Sequence, residues 1–186
     1  VSARLGGMAV LLALILGLFM GCYAALRHEK FADRLIMFIS TLGIAVPGFI
    51  MGMLLLLLFG VALRWLKFIG LNSPLDYILP TFTLAFYPAC FIARLIRSSL
   101  LDVLGQDYIR TARAKGIPAF KILIKHAMRN AILPVITYLG PLLAYVLVGS
   151  FVVERIFSIP GLGLFFIQSI TSRDYPLIMG TTIFLA

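Results

Sequence analysis

The chain has 186 residues, of which 62% are hydrophobic and 12% are charged, and its mean hydropathy is +1.08. Soluble domains contain about 25% charged residues, so this composition excludes an ordinary soluble domain and favours a membrane protein. The net charge of +9 does not indicate a nucleic-acid partner, because the cations lie in short segments between apolar runs rather than on one solvated face.

Five apolar segments predict an all-α helical bundle that crosses the membrane about five times, since about 20 apolar residues span a bilayer as a helix. Four of them cover residues 8–26, 35–63, 77–93 and 131–153, and the fifth starts after Pro176. The second segment is longer than a straight span requires, so we expect a bend at Pro47–Gly48, where proline removes a helical hydrogen bond. The third contains Pro80 and Pro88 and is the least regular.

The ends of the sequence suggest a fragment. It begins at Val1 rather than Met and stops at Ala186 inside an apolar run. We therefore expect residues 1–186 to form one transmembrane domain that is incomplete at both ends, with residues 94–130 as a loop within it.

Few residues inside the apolar segments indicate more than helix packing. Gly17 with Gly21, and Gly48 with Gly52, have the GxxxG spacing that permits close approach of two helices. Neither cysteine falls in a metal-ligand pattern with either histidine, so we expect no metal site.

Charged residues divide unequally between the two sets of loops that alternating spans create. Residues 27–34 and 94–130 contain eleven cations, whereas the N-terminus and residues 64–76 and 154–175 contain five. Lys and Arg are enriched in cytoplasmic loops, so we expect the first set of loops to face the cytoplasm.

Segment 94–130 is too long for a simple connector. It predicts a helix over Tyr108–Lys115, a turn at Gly116, and a second short helix that starts at Pro118 and runs through Lys125. Small residues that allow close approach are interleaved with cations at Arg110, Thr111, Ala112, Arg113, Ala114, Lys115 and Gly116. This pattern predicts a docking surface for a soluble partner. The alternative is an interfacial helix that only anchors to anionic lipid heads.

Two separated motifs resemble a known family. Arg110–Gly116 and the following His126–Pro134 resemble the cytoplasmic "EAA" loop of permease subunits in binding-protein-dependent ABC importers. Glu154–Gly163, followed by Ser172–Pro176, resembles the dipeptide and oligopeptide branch of that family. The first departure is that Arg110 stands at the glutamate position of the EAA motif, with Thr111 at its first alanine. The second is that Ile132–Pro134 falls later after Gly116 than in the general motif.

The resemblance implies the type I ABC importer permease fold and ATP-driven import of dipeptides or oligopeptides. It also implies an inner-membrane location in a bacterium or archaeon and several partners: cytoplasmic ATPase subunits, a second permease subunit, an extracytoplasmic solute-binding protein, lipid and the peptide. The sequence lacks a GxxxxGK[ST] phosphate loop. We therefore expect ATP and Mg²⁺ to bind the ATPase, and this chain to carry no cofactor and no catalytic residue.

Two further sets of residues are candidates for contact with substrate or partner. Pro160, Gly161 and Gly163 predict a turn-rich external loop that folds back toward the pathway or meets the solute-binding protein. Candidate residues of the substrate pathway are Tyr138, Tyr145, Ser150 and Glu154. The alternative for the tyrosines and the serine is ordinary packing between helices. For Glu154, which we place facing the peptide's amino terminus, the alternative is a local pair with Arg155 or a solvated carboxylate.

A different class of function remains open at this point. An ion-coupled secondary carrier or channel usually places ionisable groups within its spans. The first, second and fourth predicted spans contain no charged residue, which counts against this alternative.

Overall fold

A computed structural model of the chain describes residues 1–65 and 73–185, and these residues form helices and turns without a strand. The α-helices are α1 (Ser2–Leu26), α2 (Phe31–Ala45), α3 (Gly48–Leu55), α4 (Ile78–Leu104), α5 (Asp107–Ala114), α6 (Ala119–Lys121), α7 (Met128–Ala131), α8 (Leu133–Ile156), α9 (Leu162–Ser172) and α10 (Tyr175–Leu185). A 3₁₀ turn at Pro74–Tyr77 precedes α4, and π-helical segments at Leu56–Ala62 and Ile122–Ala127 follow α3 and α6.

Three helical stretches among the described residues are long and apolar enough to cross a membrane: Ser2–Leu26, Pro74–Leu104 and Leu133–Ile156. A fourth is added if α2 and the helix that follows it are one bent span. The predicted bend is confirmed, because α2 ends at Ala45 and α3 begins at Gly48. The fifth predicted span corresponds to α10, whose 11 described residues are fewer than the roughly 17 that a span needs, so it stays a prediction.

The third predicted span is longer than expected. Helix α4 runs through Pro88 without a break and ends at Leu104, so the expectation of a loop from residue 94 is wrong for residues 94–104. One face of this region is fully buried, at Ala89, Ile92, Ala93, Ile96 and Leu100. These positions recur with helical spacing, and the packing of that stripe continues the helix past the charged residues that suggested a loop.

The segment after α8 also differs from the prediction. Only residues 157–161 form a turn, and α9 begins directly afterwards at Leu162. The glycines suggested a longer turn, but the run Leu162–Ser172 contains no proline that would stop a helix. A loop over the whole of residues 154–175 is therefore wrong.

The helices divide into two compact units. Unit 1 comprises Val1–Leu12, Ala45–Tyr87 and Pro141–Ala186, and unit 2 comprises Ala13–Ile44 and Pro88–Gly140.

In unit 2, α1 and α4 pack with their backbones in contact at the first GxxxG spacing. A Cβ atom added to Gly17 would lie 2.7 Å from Cβ of Ile92 and 2.8 Å from the carbonyl oxygen of Ala89. A Cβ added to Gly21 would collide with Ile96 and with the carbonyl oxygen of Ala93. The GxxxG spacing of α1 is therefore a helix-packing surface, as the sequence suggested.

In unit 1, the beginning of α1 packs against α8, where a Cβ atom added to Gly6 would lie 3.2 Å from Val146. The guanidinium of Arg4 lies 5.2 Å from the ring centroid of Tyr77, within the range of a cation–π contact. Gly52 packs on α4, where a Cβ atom added to the glycine would lie 3.0 Å from the methyl group of Thr83.

Candidate functional site

Helix α5 has one buried face and one exposed face. Ile109 is fully buried and Ala112 is 7% exposed, so these two residues hold the helix against the rest of unit 2. The exposed residues, which we call the basic surface, are Arg110, Thr111, Arg113, Ala114, Lys115 and Gly116. The expectation that both alanines offer close approach to a partner is wrong for Ala112, because a three-residue step from Ile109 places it on the same inner face.

The predicted turn at Gly116 is confirmed. Gly116 has φ +72°, and its N–H donates to the carbonyl of Arg113 at 2.9 Å. The next amide, of Ile117, donates to the carbonyl of Ala112 at 3.3 Å. Apart from the adjacent residues of the chain, no described atom lies within 4 Å of a Cβ placed on Gly116. The position therefore needs glycine for its left-handed backbone and not for space.

At its beginning, α5 makes one contact with a distant part of the chain. The amide nitrogen Nδ2 of Asn130 donates to the hydroxyl oxygen of Tyr108 at 2.8 Å. Asn130 belongs to α7, which immediately precedes α8. This hydrogen bond therefore links the beginning of α5 to the segment that starts a membrane-length helix.

A cavity of about 330 Å³ opens beside the basic surface. Its lining includes the apolar residues Leu104, Ile117 and Ile122, together with the cation Arg113. An apolar wall with one positive group suits a partner side chain that is apolar and flanked by an acidic one.

The ion pair between Asp33 and Arg97 was not predicted from the sequence, where Arg97 is only one of the basic loop cations. Arg97 Nε donates to Asp33 Oδ1 at 2.5 Å, and Nη2 donates to Oδ2 at 2.7 Å. Oδ2 also accepts the N–H of Glu29 at 3.0 Å. Asp33 is 2% exposed. Because Asp33 lies in α2 and Arg97 in α4, the pair joins α2 to the part of α4 that leads into α5. An isolated acidic residue in the first turn of an apolar helix was the available signal.

The candidate pathway residues lie in both units. In unit 2, the Tyr138 ring packs on Phe91 with centroids 4.5 Å apart. In unit 1, Tyr145 is 40% exposed, packs on Tyr87 at 5.1 Å and borders a cavity of about 130 Å³. Ser150 is fully buried and donates to the carbonyl of Leu147 at 2.8 Å, so its hydroxyl is used within α8. Their roles in transport stay predictions.

Glu154 is fully buried near the end of α8. Its Oε2 accepts the N–H of Gly163 at 2.8 Å, which brings together two residues that the sequence assigned to different roles. Arg155 is exposed and forms no ion pair with it among the residues that the structure describes. Both alternatives for this glutamate, a pair with Arg155 and a solvated carboxylate, are therefore wrong.

The three loop residues separate in the structure. Pro160 is exposed, whereas Gly161 and Gly163 are buried. Only Pro160 offers surface to a partner from this set, and contact with a solute-binding protein stays a prediction.

The sequence matches the family described as binding-protein-dependent transport system inner membrane component over residues 13–186. The dipeptide transport system permease protein DppB of Bacillus subtilis (strain 168) is 53% identical over 184 residues, which cover 99% of this chain and 60% of the relative. DppB of Lactococcus lactis subsp. cremoris (strain MG1363) is 42% identical over 186 residues, covering 100% of this chain and 61% of the relative.

A third relative carries a different substrate in its name. The glutathione transport system permease protein GsiC of Escherichia coli (strain K12) is 45% identical over 166 residues, which cover 89% of this chain and 54% of the relative. The chain thus spans between 54% and 61% of the length of these three proteins. With its membrane-length helices and this match, the chain belongs to the family of binding-protein-dependent transport system inner membrane components.

Proposed function

We propose that this chain is part of the permease subunit of an ATP-driven importer of dipeptides or short oligopeptides. The main support for the proposal is the basic surface on α5, whose opposite face is buried at Ile109 and Ala112. The membership of the chain in this transport family is the second support. The names of the relatives, two dipeptide permeases and one glutathione permease, support a peptide as substrate.

The basic surface is the docking site for a separate cytoplasmic ATPase. Arg110, Arg113 and Lys115 attract an acidic rim and orient the partner, while Thr111 and Ala114 leave room for its backbone. The cavity beside Arg113 receives an apolar side chain of that partner. ATP and Mg²⁺ bind the ATPase, and this chain supplies transport rather than catalysis.

Motion of the ATPase reaches the membrane helices of unit 2 through two contacts. The Tyr108–Asn130 hydrogen bond connects α5 with the segment that starts α8. The Asp33–Arg97 pair holds α2 against α4, which directly precedes α5. The result is that α5 does not move alone, because it is hydrogen-bonded to α7 and follows α4, which is itself paired with α2.

The remaining partners follow from the same proposal. The chain works with a second permease subunit and an extracytoplasmic solute-binding protein, within the lipid of a bacterial or archaeal inner membrane. The basic loops face the cytoplasm. An ion-coupled carrier or channel is not favoured, since the family match assigns transport to a binding-protein-dependent system.

The first test is co-purification of the ATPase with the full-length protein in mild detergent, with and without residues 110–126. We expect the ATPase to be lost with the deletion. Because a deletion can disturb folding, a second variant reverses the charges of Arg110, Arg113 and Lys115 to Glu. Arg155→Glu, an exposed cation outside the basic surface, is the matched control. A triple variant that keeps its ATPase, or a wild-type protein that purifies alone, would overturn the proposal.

A further inference from the structure

The first turn of α9 is held by two side chains of unit 1, one from nine residues earlier in the chain and one from 160 residues earlier. Oε2 of Glu154 accepts the N–H of Gly163 at 2.8 Å, and Oγ of Ser2 accepts the N–H of Leu162 at 3.1 Å. These two amides are among those that a helix leaves without internal partners at its N-terminus. A carboxyl group at this end also interacts favourably with the helix dipole.

The backbone around the carboxyl group leaves no room for larger residues. A Cβ atom added to Gly161 would lie 2.6 Å from Oε1 of Glu154, and one added to Gly163 would lie 2.7 Å from Cβ of Phe151. Gly161 has φ −117°, a conformation that any residue adopts. Glycine is needed at position 161 because the carboxyl group packs directly against it.

The turn before α9 is anchored to the same residue. The main-chain oxygen of Glu154 accepts the N–H of Ile159 at 2.8 Å, so Glu154 holds the turn through its backbone and α9 through its side chain. Phe157 and Ile159 are buried at 1% and 0% exposure, which fixes the start and the middle of the turn in the core of unit 1.

We propose that Glu154 is a positioning residue for transport: its carboxyl group, with the hydroxyl of Ser2, clasps the first turn of α9 and fixes the loop formed by residues 157–161. The peptide does not contact this carboxyl group, which has no exposed surface. The clasp instead holds the exposed Pro160 in one conformation for contact with the solute-binding protein that delivers the peptide. This role rests on the proposed function as a peptide permease.

Two substitutions of Glu154 separate a positioning role from peptide binding. Glu154→Gln keeps an acceptor oxygen at the same reach, so we expect peptide uptake within about twofold of wild type in KM and maximal rate. Glu154→Leu removes the acceptor and leaves the Gly163 amide buried and unpaired, so we expect the maximal rate to fall about tenfold or more. A carboxylate that binds the peptide's amino terminus needs its negative charge, which Gln removes. A Gln variant with a large rise in KM would therefore overturn the proposal.

A paired substitution tests the contact with Gly161 and guards against simple misfolding. Gly161→Ala puts a methyl group where the carboxyl lies, and we expect a loss of uptake similar to that of the Leu variant. Glu154→Asp shortens the side chain by one methylene and vacates that space, so the double variant should transport better than Gly161→Ala alone. Gly180→Ala, at a glycine where no described atom lies within 4 Å of an added Cβ, is the control. Because Asp also reaches less far toward the Gly163 amide, we expect only partial recovery, and a Gly161→Ala variant that transports like wild type contradicts the clasp.

Amide hydrogen exchange distinguishes failure of the clasp from failure of the proposed function. In the full-length protein, Glu154→Leu should raise the exchange rate at Leu162 and Gly163 at least about tenfold, while Glu154→Gln should not. The Leu variant should also keep its ATPase in co-purification. Unchanged exchange in the Leu variant overturns the clasp, whatever the protein transports. Raised exchange without peptide uptake by the wild type supports the clasp and refutes only the peptide permease.

Discussion

The basic surface on α5 and the loop between α8 and α9 use charges and glycines in opposite ways. On α5 the cations are exposed, and Gly116 is required for a left-handed backbone in open space. At the end of α8, Glu154 is fully buried, and Gly161 in the loop that follows has an ordinary backbone but no space for a side chain. The first arrangement leaves charge available to a partner, whereas the second uses it to hold the chain's own fold.

The largest loss of stability is expected at Asp33, a charged residue of the basic loops that is buried as Glu154 is. Asp33→Ala leaves Arg97 without its partner in a largely buried site, which costs about 3 kcal/mol of stability. Thermal unfolding of the purified protein in detergent measures this loss. Arg94→Ala removes an exposed cation of the same helix and should change the unfolding temperature little. Equal effects of the two variants would remove the distinction between charges that serve the fold and charges that serve a partner.

The next largest loss of stability is expected at Gly163, where the neighbouring residues leave no space for a side chain. Gly163→Ala would gain helix propensity, but its methyl would overlap Phe151, including the Cα atom. Overpacking of this kind costs about 1–3 kcal/mol, so we expect net destabilisation in the same unfolding assay. Gly180→Ala adds the same methyl to α10, where no described atom lies within 4 Å of it. If Gly163→Ala were as stable as Gly180→Ala, the close packing of this region would be refuted.

A glycine needed for its backbone conformation should give a smaller loss of stability and a larger loss of coupling. Gly116→Val places a β-branched residue at φ +72°, at a cost of about 1–2 kcal/mol. We expect the reoriented α5 to uncouple ATP hydrolysis from peptide uptake, measured together in proteoliposomes.

Gly105→Val is the control for this glycine, because Gly105 also lies next to α5 but has no positive φ. Wild-type uptake by the Gly116→Val variant would contradict the assignment of Gly116 as the turn that orients the docking helix.

The smallest effect is expected from a single hydrogen bond at the edge of the basic surface. Tyr108→Phe removes the acceptor of Asn130 while keeping the ring, with a loss of about 1 kcal/mol or less because the site is exposed. The ratio of peptide transported to ATP hydrolysed should fall modestly, with no change in ATPase co-purification. Loss of co-purification would mean that Tyr108 itself belongs to the docking surface.

Local patterns predicted much of the fold because they act within a few residues of chain. Apolar length identified α1, α4 and α8, and proline identified the break before Gly48. The turn at Gly116 followed in the same way, from a residue type and its neighbours. The exposure of the cations on α5 was also predictable, since they form a cluster of charges between apolar runs of the sequence, and their role in docking stays a prediction.

Long-range contacts explain what the patterns missed. The continuation of α4 past residue 94 depends on a stripe of buried residues. The burial of Ala112 depends on the packing of α5 against the rest of unit 2. Asp33 and Arg97 are 64 residues apart, and Ser2 and Leu162 are 160 apart. No spacing rule along the chain connects such residues.

The sequence by itself determined that this chain is a helical membrane protein with a basic segment exposed between its spans, because hydropathy, proline and glycine act locally. Only the tertiary structure decided which charges are available to a partner and which hold the fold. Arg110 lies in α5 and Glu154 in α8, and both are charged, yet Arg110 is exposed and Glu154 has no accessible surface. The difference arises because burial depends on the neighbours that packing supplies, and those neighbours are remote in the chain.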